Sequence, residues 1–70
     1  MQNLDYTVLR NNLRGYRVRA GLTQTGLAEK LGITKQIVSR WEMHPEKIKF
    51  KTFVELANLY GIRPSDFFTE

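Results

Sequence analysis

Two short runs with helical spacing stand almost end to end in this sequence, and the turn between them holds a single glycine. The first run covers about residues 24–31, with Leu27, Ala28 and Leu31 on one face. The second covers about residues 35–43. Gly32 closes the first run, because glycine takes the positive φ of a sharp exit at little cost. Thr34 opens the second, where its hydroxyl can accept from the free N–H groups of the next turn. A link this short does not let two helices fold back antiparallel; it suits a crossing near 90–120°. Ala28 is small where the helices must approach, and Ile33 plugs the corner. At about 100° per residue, Thr34, Val38 and Trp41 share one side of the second run. Lys35, Gln36, Ser39, Arg40 and Met43 take the opposite side.

The rest of the chain is punctuated in the same way, and nothing alternates with period two for long enough to suggest a strand. Residues 6–20 read as a first helix with Leu9, Leu13 and Tyr16 on one stripe and Arg10, Arg14 and Arg19 elsewhere. Gly15 lies off that stripe and weakens the helix slightly, and Gly21 ends it. Thr23 caps the helix that follows. Residues 51–60 read as a fourth helix, with Phe53, Leu56, Ala57 and Tyr60 inward and Gly61 as its stop. Pro64 suits the first turn of a short fifth helix, where its missing N–H costs nothing. Residues 43–50, containing Pro45, are the longest irregular piece. The expectation is an all-α fold: one compact five-helix domain over residues 1–70, with the paired-helix motif at about 24–43.

A chain of 70 residues buries only about 60% of its unfolded surface, so its stability is marginal. It has no cysteine, hence no disulfide framework and no thiolate metal site. The core must hold the fold alone or share the task with a second copy. The start, Met1-Gln2-Asn3-Leu4-Asp5, lacks the basic and apolar segments of a leader, and no apolar run approaches the ~18 residues of a membrane span. A cytoplasmic place in a prokaryotic or phage-encoded setting is expected, with no membrane, cofactor or metal. Eleven Lys and Arg against seven Asp and Glu give a net charge of +4 and a pI near 9.8, a first hint of a polyanionic partner that simple solubility would explain equally until the placement of the charges decides.

The placement of those charges points to double-stranded DNA. Arg forks onto guanine O6 and N7, Gln onto adenine N6 and N7, and Lys reaches guanine. Lys35, Gln36, Ser39 and Arg40 are therefore the expected base readers, with Arg40 and Gln36 foremost. Ile37 sits at the edge of the inner face, within reach of a thymine methyl. Phosphate contacts are expected from Thr23, Gln24 and the amides opening the second helix, since a helix N-terminus favours anions. Gln24 is also placed to brace Lys35. Lys47, Lys49 and Lys51 crowd the start of the fourth helix as further phosphate contacts. One helix reads only a few base pairs, so a homodimer on a palindrome is expected, with half-sites about one helical turn apart. Ile62, Arg63, Pro64, Phe67 and Phe68 are its interface candidates, Phe67 leaning to the core and Phe68 to the interface.

Several strings carry a family likeness. Gly21-Leu22-Thr23-Gln24, Leu27-Ala28-Glu29-Lys30-Leu31-Gly32-Ile33-Thr34 and Val38-Ser39-Arg40-Trp41-Glu42 resemble the phage repressor and Cro family, the XRE-type helix-turn-helix proteins. Val54-Glu55-Leu56-Ala57, Tyr60-Gly61-Ile62 and Pro64-Ser65-Asp66-Phe67 are similar to that family's last two helices. The likeness covers about residues 9–68. It implies a lambda-repressor-like domain that binds the major groove, usually as a dimer, and acts as a transcriptional repressor. It also implies an inward ion pair between Arg17 and Glu42. The sequence departs from the family in Met43-His44-Pro45-Glu46-Lys47-Ile48-Lys49-Phe50, where a glycine after the glutamate and a proline before helix four are usual.

Enzyme chemistry finds no support. His44, the only histidine, lies in a polar loop with no nucleophile at an informative spacing, and Asp66 and Glu70 are isolated carboxylates. The rival is an antitoxin-type module on the same fold, which binds a protein partner through Arg10, Arg14 and Arg19 of the first helix and also represses its own operon.

Overall fold

The computed structural model describes residues 6–70; the leaderless start expected at residues 1–5 lies outside them. Four α-helices follow in order: α1 (Thr7–Arg19), α2 (Gln24–Leu31), α3 (Lys35–Met43) and α4 (Phe50–Tyr60). A 3-10 turn at Pro45–Lys47 precedes α4, and another at Pro64–Phe68 follows it. Among the described residues there is no strand.

Local chemistry sets the boundaries. Thr23 Oγ1 accepts from the Gly26 N–H at 2.9 Å, and Thr34 Oγ1 from the Ile37 N–H at 3.4 Å. Each satisfies one of the amides that a helix start leaves without an intrahelical partner. Gly32 and Gly61 end α2 and α4 at φ +67° and +70°, left-handed values that an L side chain resists. The Ile33 N–H then reaches back to the Ala28 carbonyl at 3.0 Å. The chain thus turns from α2 into α3 within three residues, as the single-glycine link predicts.

The expected fifth helix is a 3-10 turn of five residues. Pro64 stands at its start, as expected, and the Arg63 N–H donates to Asp66 Oδ2 at 3.0 Å. The stretch is too short to offset the cost of nucleating an α-helix. Its end is tied to α1 instead: Asn12 Nδ2 donates to the Phe67 and Thr69 carbonyls, each at 2.8 Å. The 43–50 segment is likewise not irregular throughout. Pro45 and Ile48 are buried, so the 3-10 turn between them is pinned to the body and its charged residues face out.

The core is Leu9 and Leu13 of α1, Leu27 and Ala28 of α2, Val38 of α3, Ile48, then Phe53, Leu56 and Ala57 of α4, and Phe67. Tyr16, Leu22, Leu31, Ile33, Trp41, Tyr60 and Ile62 pack around it, half-buried. Phe67 lies at the centre of an aromatic group, with ring centroids 5.7 Å from Tyr16, 5.7 Å from Phe53 and 6.3 Å from Tyr60. Its exposure is 0%, which removes it from the expected dimer interface: a ring that closes the protomer's own core has no surface to offer a partner. Its neighbour Phe68 is 57% exposed.

Candidate nucleic-acid interface

α3 is anchored by one face and free on the other. Val38 is fully buried and Trp41 half-buried, which fixes the rotation of the helix about its axis. The opposite face then carries Lys35, Gln36 and Arg40 exposed and Ser39 half-buried. These four, with Met43 and His44, line one shallow open cleft along the outer side of α3. The structure therefore brings together all four expected base readers. Ile37 is half-buried at the margin, as expected.

A second open groove runs beside the start of α2, lined by Arg17, Val18, Gly21, Leu22, Thr23, Gln24, Thr25 and Lys35. Lys35 belongs to both, so the α3 cleft and the amide end of α2 form one continuous surface. Lys47, Lys49 and Lys51 are all exposed at the start of α4. Lys49 is the residue before its first turn, where no side chain caps the amides. That end of α4 keeps its partial positive charge.

Behind this surface lies the ion pair that the family likeness implies. Arg17 Nε donates to Glu42 Oε2 at 2.7 Å and Nη2 to Oε1 at 3.2 Å, a two-point grip. Arg17 Nη1 also donates to the Leu22 carbonyl at 2.9 Å. The side chains are only 9% and 12% exposed. The pair therefore ties α1 to the end of α3 and to the loop that opens α2. Gln24 does not brace Lys35: its Nε2 donates to Glu42 Oε1 at 3.2 Å. The Glu42 carboxylate supplies the lone pair that this amide N–H needs. Tyr60 packs near the same pair. Its hydroxyl pKa is raised to about 12, first by burial, then by the Glu42 charge, with Arg17 pulling the other way.

Two features of the structure escape a sequence reading. Phe50 continues the inward stripe of α4 by count, three residues before Phe53, yet it is 71% exposed. It is the first residue of α4 and lies past the edge of the core. Asn12 looks like any polar helix residue, and only the fold reveals that it holds the C-terminal turn. Of the other interface candidates, Arg63 is exposed and pairs with Asp66 at 3.3 Å, while Ile62 and Pro64 are half-buried. Among the described residues no group of His, Asp or Glu is placed to hold a metal ion, and no helix is long and apolar enough to cross a membrane.

The family profile for helix-turn-helix domains matches residues 13–67, which include all of α2 and α3. The chain belongs to the XRE-type helix-turn-helix family. The domain is a DNA-binding module of transcription regulation, and the match takes in the two short helices α2 and α3 with their three-residue turn. The chain is 32% identical over 60 residues to an uncharacterised HTH-type transcriptional regulator of Methanocaldococcus jannaschii, covering 86% of this chain and 91% of that one. It is 31% identical over 51 residues to the uncharacterised HTH-type transcriptional regulator YqaE of Bacillus subtilis, covering 73% of this chain. That alignment spans 44% of YqaE, less than half its length. No solved structure matches the chain.

Proposed function

We propose that this helix-turn-helix domain is a sequence-specific repressor, binding a palindromic operator as a homodimer with α3 in the major groove. One observation carries the reading: the outer face of α3 sets Lys35, Gln36, Ser39 and Arg40 along a single cleft while Val38 locks the inner face. Arg40 takes a guanine edge and Gln36 an adenine edge, each good two-point contact discriminating by about 1–3 kcal/mol. Lys35 and Ser39 read the neighbouring bases. Thr23 and Gln24 at the start of α2, and Lys47, Lys49 and Lys51 at the start of α4, hold phosphates on either side and set the depth of α3.

The dimer seat is Ile62, Arg63, Pro64 and Phe68, with Phe68 as its apolar anchor. Repression by occupancy needs nothing beyond a tight, slowly released complex over the operator. Selection from random duplex DNA tests the proposal. The expected product is a two-fold symmetric site with half-sites about one helical turn apart, 10–10.5 base pairs centre to centre. A pool that gains no sequence preference would defeat the reading.

A further inference from the structure

α1 carries four arginines and no carboxylate. Three of them, Arg10, Arg14 and Arg17, follow at i, i+4 and i+7, and so form a row along one flank of the helix. The last member shows where that flank faces, because Arg17 points to Glu42 at the end of α3 and to the Leu22 carbonyl just before α2. The row runs from there toward the start of α1. Arg14, one turn on, is exposed and among the described residues makes no ion pair. Arg10 donates to Thr7 Oγ1 at 3.3 Å, which engages one of its five N–H groups.

The surface beside Arg14 is continuous with the proposed DNA face, and Arg10 stands one turn further along the row. Val18 lines the groove at the start of α2 and also a second shallow depression shared with Asn11, Arg14, Gly15 and Arg19. No carboxylate lines either one. Gly15 sits mid-helix where a Cβ would meet nothing within 4 Å. No internal contact demands glycine there, and its bare backbone leaves room for a ligand to come close.

We propose that Arg14 and Arg10 extend the phosphate track beyond the start of α2 and grip the DNA backbone outside the half-site read by α3. The inference rests on the major-groove reading of α3, which brings a backbone strand past Gln24 and Thr25. A polyanion is the occupant that fits: the row is cationic and regular, and Val18 is the one exposed large apolar side chain in the depression. The consequence is an affinity that depends on duplex length past the operator without any added base preference.

The test compares two duplexes carrying the selected operator, one ending a base pair beyond it and one extended by about a helical turn on each side. The wild-type domain should bind the longer duplex more tightly. Its log K against log salt should be steeper there by about 1.8 for each protomer, from two phosphates at ~0.9 each. Arg10→Gln/Arg14→Gln should lose this length advantage and the extra slope, yet keep its base preference and its affinity for the short duplex. Arg14→Gln alone, at an exposed site, should lose about half, and a melt of each variant checks folding. Equal behaviour of variant and wild type on both duplexes would overturn the proposal. So would arginine variants that bind DNA normally but lose a wild-type chemical-shift response to a poly-glutamate peptide. Loss of base preference in the wild type would instead overturn the reading of α3, and the length comparison remains measurable on any duplex.

Discussion

Glu42 holds three donors at once: two from Arg17, at 2.7 and 3.2 Å, and the Gln24 amide at 3.2 Å. With both charged side chains almost out of solvent, removing one strands the other. Arg17→Met should therefore cost about 3–5 kcal/mol, read as a lower urea midpoint, whereas a surface pair would cost well under ~1 kcal/mol. A small loss would show that water reaches the pair. Tyr60 beside it gives a pH signature. Its folded pKa, about 12, lies above the ordinary value of 10.0. The folded state then binds more protons than the unfolded one between the two values. Stability should fall as the pH rises from 10 to 12, and Tyr60→Phe should remove that part of the fall in an alkaline melting series. Gly15 gives the opposite kind of prediction. A methyl there meets no atom within 4 Å, so Gly15→Ala should raise stability by about 1 kcal/mol through helix propensity. At this scale the sequence shows which residues are charged or small. It does not show which charges meet. The likeness to known repressors suggested the Arg17 pair, but nothing local indicated that Gln24 would join it in place of Lys35.

Helices with strong local signals were legible almost to the residue. Thr23, Thr34, Gly32 and Gly61 each combine a side-chain or backbone preference with a single structural use, and each stands where that use requires. Thr34→Ala should lose the bond to the Ile37 N–H and cost about 1 kcal/mol, with α3 fraying first in amide exchange. Elements set by tertiary contacts are less legible in the sequence. The stretch after Pro64 carries a helix-start signal, but it is too short to nucleate an α-helix; it closes as a 3-10 turn whose end Asn12 ties to α1. Periodicity assigned Phe50 no outward role, because a stripe does not say where the core ends. The 43–50 segment reads as irregular in the sequence, yet burial of Pro45 and Ile48 pins the 3-10 turn between them. Asn12→Ala should accordingly loosen the C-terminal turn and shift the Phe68 resonances, while leaving the α2–α3 crossing intact.

The molecule has a small core in which Phe67 is fully buried, and α3 shares one continuous outer surface with the start of α2. Phe68 and Phe50 are its two most exposed aromatic rings. Phe68→Ser should reduce dimerisation in sedimentation and weaken binding to the full palindrome far more than to a single half-site. A dimer that neutralises about eight phosphates should show log K falling with log salt at a slope near −7, and a flat salt dependence would contradict phosphate anchoring. The central claim concerns α3, and a parallel selection from random duplex DNA with wild type and Arg40→Ala tests it most directly. The account predicts that the variant keeps the palindrome and its spacing but loses the guanine preference at one position in each half-site. An unchanged preference profile would mean that the face bearing Arg40 does not read the bases.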